Sequence, residues 1–392
     1  MAGKSNILYM NPTSAKMGAR PLFRQDPPLP APAALKKGTP DMWIFLITVF
    51  LVGIGVIMVF SASYFDTLSG DLYEYLKRQS SFAGIGLVIL LLAMNANFQK
   101  YRFMAKPLLY ATFFLLIIVF FIDDTKGTHR WIPLFVFNLQ PSEVAKFTLT
   151  MYIADKLSRR NADPNDLTGQ LATIVMVIGA MFVLVYKEPD LGSAMTLVCI
   201  GMGILIAAGL HWLYLLGAVA LGSAAFIVLI KSSEYQMRRI TGFLDPWADP
   251  VGAGYQIINS FFALGSGGFW GVGVGGSRQK LGFLPEQYTD FIFSIIGEEL
   301  GFIGAGLIII LFLLLAWRGF MVALHCPVLY GSLLAVGITT SLILQAALNL
   351  GVVTGSLPVT GIALPFISYG GSSLLMSMGS VGVLLNISRY RS

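Results

Sequence analysis

Long runs of apolar residues without charge alternate with short polar segments along most of this chain. A helix needs ~20 mostly apolar residues to cross the hydrocarbon core of a bilayer. By this measure the pattern predicts ten membrane-spanning helices. They come from windows 42–65, 79–99, 107–122, 141–157, 167–186, 191–230 (two helices turning near 209–212), 288–317 and 319–388 (two helices with a break in the Gly- and Pro-rich stretch 351–361).

The composition agrees with this pattern. Of 392 residues, 56% are hydrophobic and only 12% are charged, whereas a soluble domain carries about a quarter charged residues. A water-soluble core cannot bury that much apolar surface, so the sequence predicts an all-α integral membrane protein. The two cysteines, Cys199 and Cys326, are far apart and predict neither a disulfide framework nor a metal site.

The positions of lysine and arginine predict the orientation. An even number of spans places both termini on one side, and with the N-terminus inside, the inner segments hold 15 of the 26 lysines and arginines. Cytoplasmic loops carry such an excess, which favours both termini inside. Residues 1–41 are polar and proline-rich, which predicts a disordered cytoplasmic tail, and residues 389–392 form the cytoplasmic C-terminus.

A long segment between the seventh and eighth predicted helices, about 231–286, would face the outside. It contains Asp-Pro turns and then seven glycines between Gly265 and Gly276. A loop of this size with its own turn signals indicates function rather than a connector. The glycine run superficially resembles a phosphate-binding loop, but it lacks the strand before and the helix after that nucleotide binding requires.

Two groups of acidic residues stand near the outer end of the eighth predicted helix. Asp290 would lie at the boundary of membrane and water, where partial desolvation would make it a better base; the alternative is a carboxylate that caps the helix. Glu298 and Glu299 follow eight and nine residues later, with Glu298 nearer the face of Asp290. They are either paired with a buried cation or part of a site, because ionisable groups at membrane depth are costly.

Basic residues form two further candidate groups. Glu143 and Lys146 are spaced i, i+3 and can pair on one helix face, either as a self-neutralising pair or with Lys146 facing a polar cavity. Six cations on the predicted outer side could together form a binding rim, although each alone is an ordinary loop charge. They are Arg130, Lys187, Arg238, Arg239, Arg278 and Lys280.

Motifs throughout residues 42–391 resemble those of the SEDS family (shape, elongation, division, sporulation), and more closely its FtsW/SpoVE branch than its RodA-type members. The outer loop and its flank match at 238–241 (Arg-Arg-Ile-Thr), 245–250 (Asp-Pro-Trp-Ala-Asp-Pro), 252–256 (Gly-Ala-Gly-Tyr-Gln), 271–273 (Gly-Val-Gly), 277–280 (Ser-Arg-Gln-Lys), 284–286 (Leu-Pro-Glu), 289–293 (Thr-Asp-Phe-Ile-Phe) and 297–301 (Gly-Glu-Glu-Leu-Gly). Other matches are 130–131 (Arg-Trp), 140–143 (Gln-Pro-Ser-Glu), 189–192 (Pro-Asp-Leu-Gly) and 365–373 (Pro-Phe-Ile-Ser-Tyr-Gly-Gly-Ser-Ser). One departure is Tyr288, where several relatives have histidine, which argues against a required histidine base.

This resemblance implies a peptidoglycan glycosyltransferase of the bacterial plasma membrane that polymerises lipid II. The family's essential aspartate corresponds to Asp290, which would take a proton from the acceptor sugar, and its important lysine corresponds to Lys146, near the lipid pyrophosphate. The resemblance also implies a class B penicillin-binding protein and other division or sporulation membrane proteins as partners, with the division septum as the expected location. No nucleotide or nucleic acid enters, and a divalent cation could help to neutralise the pyrophosphate, although no ligand cluster predicts one.

Two other functions stay open on the residues alone. A bundle with interior charges and broken helices could transport lipid II across the membrane, or the chain could be a non-catalytic scaffold for wall enzymes. Against transport, the sequence shows no internal repeat, and its most motif-rich segment is an outer loop. The sequence does not distinguish division, sporulation and elongation.

Overall fold

The computed structural model describes residues 37–65, 71, 73–122, 129–134, 137–160 and 162–390. Most of the predicted disordered tail, and the last two residues of the predicted C-terminus, lie outside the described residues. Twelve α-helices occur within these ranges. They are α1 (Met42–Ser63), α2 (Glu74–Asn95), α3 (Phe98–Ile118), α4 (Pro141–Leu157), α5 (Gln170–Lys187), α6 (Leu191–Ala207), α7 (Trp212–Lys231), α8 (Glu234–Leu244), α9 (Tyr255–Gly267), α10 (Ile292–His325), α11 (Leu329–Val353) and α12 (Gly371–Ser388).

Each of the ten predicted spans coincides with one of these helices. Eight helices in the described part of the chain are long and apolar enough to cross a membrane. The other two predicted spans are α4 and α6, which have 17 residues each. The number of spans that cross, and their orientation, remain predictions. The only strands within the described ranges are a two-residue antiparallel pair, β1 (Ile132–Pro133) and β2 (Asn138–Leu139).

The helix ends differ from the predicted windows. The second helix begins at Glu74 rather than at residue 79, and the third begins at Phe98 rather than at 107, with Pro107 inside it. Asn97 sets the start of α3, because its side chain accepts a hydrogen bond from the Gln99 N–H. Charge-free windows find the apolar centre of a span, whereas real helices continue through the charged residues at its ends.

The predicted outer loop contains two helices that the apolar pattern does not show. α8 begins after Ser233, whose side chain accepts a hydrogen bond from the Gln236 N–H, and α9 follows it after a 3₁₀ turn at Pro246–Ala248. Both are shorter than a membrane span. The loop is therefore a folded element.

α10 begins at Ile292, later than the predicted 288, and is interrupted at Gly301, whose φ of +66° is the left-handed region that favours glycine. The glycine-rich loop packs into this break, because a Cβ added to Gly301 would lie 2.3 Å from the Gly271 nitrogen. The backbone groups that the break frees are paired there, with Val272 N–H donating to the Glu298 carbonyl at 3.0 Å.

The centre of the bundle is formed by α4, α11 and α12. In α12, 78% of the span is buried, and in α11 61%, whereas α7 has no buried residue and lies at the periphery. The buried residues of α4 include both Glu143 and Lys146. This predicted pair is therefore placed on a central helix.

Candidate functional site

Asp290 lies in a turn just before α10, and other elements hold the backbone of this segment. The carbonyl oxygens of residues 288–290 accept hydrogen bonds from the Tyr369 N–H at 2.9 Å, the Ser368 hydroxyl at 2.6 Å and the Asn349 side-chain amide at 2.7 Å. α11 supplies Asn349, and the loop before α12 supplies the other two donors. Three consecutive bonds of this kind fix the position of the aspartate.

The Asp290 carboxylate is half-buried, and no hydrogen bond or ion pair to it occurs among the described residues. It faces the α11–α12 loop, where a Cβ added to Gly361 would lie 3.5 Å from its Oδ2 atom. Removal from water, and then the negative charges of Glu286 and Asp190, raise the pKa of Asp290 to about 7. A base with a pKa near the working pH is suited to proton abstraction.

Two guanidinium groups are near enough to act on Asp290 electrostatically. Arg239 of α8 donates to the Val359 carbonyl at 3.1 Å, and Arg130 donates through Nε to the Glu188 carbonyl at 2.7 Å. Both cations lower the pKa of Asp290, against the larger effect of burial. The structure thus brings three of the predicted site residues together from distant parts of the chain.

The other predicted rim cations do not all reach this site. Lys187, Arg238 and Arg278 are exposed, as the rim requires, but no described contact places their charges at Asp290. Lys280 does not lie on the rim where the sequence predicted it. It is only 4% exposed, and its Nζ lies 2.8 Å from Oε1 of Glu299. A lysine that neutralises a buried carboxylate is not part of an exposed rim.

Glu298 also differs from its predicted placement. Its Oε1 atom accepts hydrogen bonds from the Arg278 N–H at 3.0 Å and the Ser266 hydroxyl at 3.1 Å, and its Oε2 atom accepts from Ser277 and the Gln279 N–H. The expected helix face shared with Asp290 does not form, because α10 begins two residues after the aspartate. Glu298 binds the outer loop, while Glu299 has the buried cation that one interpretation predicted.

Glu143 and Lys146 form the predicted pair. Lys146 Nζ lies 2.7 Å from Glu143 Oε1 and 2.6 Å from Gln345 Oε1. The pair also borders a small crevice between α4, α11 and α12, so the geometry contains both the neutralised pair and the cavity of the other interpretation. The crevice is lined by Glu143, Lys146, Phe147, Thr150, Ile338, Ser341, Leu342, Gln345, Met376, Ser377 and Ser380.

Sequence reasoning missed a second carboxylate near the site. Glu188 is fully buried, and both of its oxygens lack a hydrogen-bond partner in the described part of the chain. Burial, and then the negative charge of Asp190, raise the pKa of Glu188 to about 9, with Arg130 acting in the opposite direction. The local signal is the Pro-Asp-Leu-Gly motif at 189–192, which directly follows Glu188.

Sequence reasoning also missed Asn349 and Ser368, which donate hydrogen bonds to the backbone of the Asp290 segment. Ser368 lies in the quoted motif 365–373, and Asn349 lies in a stretch without charge that predicts only a span. Among the described residues, no three His, Cys, Asp or Glu side chains are grouped so that they could hold a metal ion. The divalent cation therefore remains a prediction.

The chain is similar to known proteins over nearly its full length. Residues 42–392 match the FtsW/RodA/SpoVE family, described as cell cycle proteins. Stage V sporulation protein E of Bacillus subtilis is 43% identical over 91% of this chain and 98% of its own length. A probable peptidoglycan glycosyltransferase FtsW of Geobacter sp. (strain M18) is 46% identical over 89% and 96%.

Solved structures with the same fold agree with these relatives. A chain from a peptidoglycan synthase complex that coordinates polymerization and crosslinking has a TM-score of 0.74 at 30% identity, covering 89% of this chain and 98% of that one. The rod shape determining protein RodA of Thermus thermophilus has a TM-score of 0.66 at 28% identity, covering 90% and 97%. These matches confirm the predicted all-α membrane fold.

Proposed function

The chain belongs to the FtsW/RodA/SpoVE family of cell cycle proteins, and from this premise we propose that Asp290 is the base with which it polymerises lipid II. It is a multi-pass membrane protein and a peptidoglycan glycosyltransferase. The helix bundle suits a substrate that never leaves the bilayer, because the lipid anchor stays in the membrane while the sugars reach the site. In the predicted orientation, Asp290 is on the outer side.

In the proposed reaction, the Asp290 carboxylate takes the proton of the acceptor GlcNAc 4-hydroxyl. That oxygen attacks the anomeric carbon of the donor muramyl sugar, and the bond from this carbon to the pyrophosphate breaks. Undecaprenyl pyrophosphate leaves with the electron pair, and a β-1,4 bond forms with inversion. Asp290 then returns its proton to water, so that the base is regenerated for the next addition.

Arg130 and Arg239 are assigned to the leaving group. Negative charge builds on the pyrophosphate as its bond to the sugar breaks, and cations placed there lower the barrier. The planar guanidinium suits phosphate oxygens, and these two arginines act on the same region as Asp290. Lys187, Arg238 and Arg278 would form the outer rim, and the crevice beside Lys146 would admit the pyrophosphate end of a substrate.

The observation that carries the proposal is the Asp290 carboxylate itself, which is half-buried and held in place by bonds to its backbone rather than to its side chain. We propose a test with the purified chain and its partner transpeptidase, comparing Asp290→Asn with the wild type. Glu234→Gln is the matched control, because Glu234 is an exposed outer-loop carboxylate at the start of α8.

Polymer formation from lipid II should fall at least 100-fold in Asp290→Asn, the scale of lost base catalysis, and stay unchanged in Glu234→Gln. Polymer at the wild-type rate in Asp290→Asn would exclude Asp290 as the base. A wild-type chain that makes no polymer but moves labelled lipid II across vesicles would be a transporter. A chain that does neither would act as a scaffold.

For the partner, we propose a class B penicillin-binding protein that crosslinks the product. The solved complex of similar fold is a peptidoglycan synthase complex, which supports a shared assembly. Other division or sporulation membrane proteins, and a location at the septum, belong to the same proposal. Locating a tagged chain in dividing and in sporulating cells tests it.

A further inference from the structure

Three tyrosine rings from separate elements meet beside the Asp290 segment. Ring centroids are 4.9 Å apart for Tyr75 and Tyr288, 5.0 Å for Tyr75 and Tyr369, and 5.9 Å for Tyr288 and Tyr369. The hydroxyls of Tyr75 and Tyr288 are 3.2 Å apart. All three side chains are half-buried, so each keeps part of its surface open.

The hydrogen bonds to the backbone of residues 288–290, which fix Asp290, also hold this tyrosine cluster. Tyr288 is two residues before the aspartate, and its carbonyl oxygen accepts a hydrogen bond from the Tyr369 N–H at 2.9 Å. Tyr75 comes from the first turn of α2 and contacts both other rings. The cluster therefore has a fixed position relative to Asp290.

A cation adjoins the cluster at Tyr369. Arg78 follows Tyr75 by three residues on α2, interacts with the Tyr369 hydroxyl and is exposed. It also pairs with Glu74 at 2.7 Å, where both side chains are about half exposed. Such an exposed pair contributes only ~0–1 kcal/mol, so Arg78 can exchange this partner for a stronger anion.

We propose that the tyrosine cluster binds the sugars of the acceptor substrate and that Arg78 binds its pyrophosphate. This inference rests on the proposed function, which requires two lipid-linked molecules at one base. The acceptor presents its reacting hydroxyl at one end, then two sugar rings, then the pyrophosphate. Contacts in the structure lead in the same order from the Asp290 segment, through Tyr288 and Tyr369, to the Arg78 guanidinium.

The chemistry of each part fits that order. The C–H faces of a pyranose ring pack against aromatic rings, and tyrosine adds a hydroxyl that can bond to the sugar. A guanidinium binds phosphate oxygens through its planar fork. Arg130 and Arg239 have a different role from Arg78. They act on Asp290 directly and are assigned to the leaving group of the donor.

The test measures binding of lipid II to the chain in nanodiscs, with Asp290→Asn as the background so that no polymer forms. The background should bind two lipid II molecules per chain. Tyr75→Ala should weaken one of the two sites about tenfold and leave binding of sugar-free undecaprenyl pyrophosphate unchanged. Tyr75→Phe, which keeps the ring, should stay within about threefold of the background.

Arg78→Ala should weaken the same site for both lipids about tenfold. Its matched control is Lys77→Ala, because Lys77 is the adjacent exposed cation and pairs only with exposed Asp71 among the described residues. The control should bind both lipids as the background does. Equal loss in the two variants would indicate general attraction to the lipid charge and overturn the assignment of Arg78.

Unchanged lipid II binding by Tyr75→Ala would overturn the proposal that the tyrosine cluster binds the acceptor sugars. If the melting temperature of this variant is below that of the background, Tyr75→Leu replaces it. Equal affinities of Tyr75→Leu and Tyr75→Phe for lipid II would then refute sugar binding by the tyrosine cluster. Failure of the proposed function is a separate result, since it appears as absence of polymer with Asp290 intact. The comparison of lipid II binding between variants can still be interpreted in that case.

Discussion

Replacing Lys280 with methionine would leave a carboxylate without its cation in the interior of the protein. Lys280 Nζ lies 2.8 Å from Glu299 Oε1, and the two side chains are 5% and 0% exposed. Without the lysine, Glu299 keeps the Ser61 hydroxyl at 2.7 Å but no opposite charge within the described residues. Removing one partner of a buried pair costs about 3–5 kcal/mol.

The expected readout is a lower melting temperature of the purified chain in nanodiscs. With ~2 °C lost per kcal/mol for a large domain, the loss is roughly 6–10 °C. Lys77→Met is the matched control, because Lys77 and Asp71 form an exposed pair with 68% and 49% of their side chains accessible. An exposed pair contributes ~0–1 kcal/mol, so the control should change the melting temperature by at most about 2 °C.

The double variant Lys280→Met with Glu299→Gln separates charge from packing. A buried pair replaced by neutral groups is often tolerated, and glutamine can still accept the Ser61 hydrogen bond. The double variant should recover more than half of the loss. A Lys280→Met loss no larger than that of Lys77→Met, or a double variant as unstable as the sum of its parts, would refute the assignment of this pair as a structural lock.

Three further predictions concern the site and the break in α10. The rate of polymerisation should fall tenfold per pH unit below about pH 7, because the proposed base must be ionised and its pKa is about 7; Glu286→Gln should move this limb to lower pH, since that charge raises the pKa, and an unmoved limb would contradict the cause. Gly301→Ala should lower the free energy of unfolding by at least about 1–2 kcal/mol, because a Cβ there is strained and would lie 2.3 Å from a backbone nitrogen of the glycine-rich loop. The control is Gly306→Ala in the same helix, where an added Cβ meets nothing within 4 Å, so that this change should be neutral or stabilising in thermal unfolding. Asn349→Ala should reduce kcat more than it raises KM, because it frees two carbonyls held at 2.7 and 2.8 Å; Asn259→Ala, whose bond stays within its own helix, is the control, and equal effects of the two would argue against a positioning role.

The spans could be predicted from the sequence because the thickness of a bilayer sets their length. Every predicted window has its helix, yet the ends were wrong wherever charged residues continue the helix, as at Phe98 in α3 and Glu74 in α2. α8 and α9 were not predicted because they are too short for a span and are only partly apolar. Side-chain capping by Asn97 and Ser233, rather than hydropathy, sets the starts of α3 and α8.

The sequence predicted the types of residue at the site, but not which residues contact each other. Arg278 and Lys280 are two residues apart and received the same role, yet one is exposed and the other is buried against Glu299. Which cation turns inward depends on where the loop meets α10, and no local pattern contains that contact. Asn349 was missed because an uncharged polar residue inside an apolar window does not alter the prediction of a span.

Two sets of bonds restrain the chain around Asp290, which bears on how the carboxylate is presented. In the first set, Asn349 and the loop before α12 bind the backbone around Asp290. In the second set, Glu298 and Glu299 tie the first turns of α10 to the outer-loop residues Arg278 and Gln279 and to Ser61 of α1. A catalytic group must be held closely in its productive geometry, and here the restraint comes from the neighbours of Asp290 rather than from bonds to its carboxylate. The side chain thus stays available to a substrate while its backbone is fixed, and loss of the Asn349 bonds should reduce turnover before it unfolds the bundle.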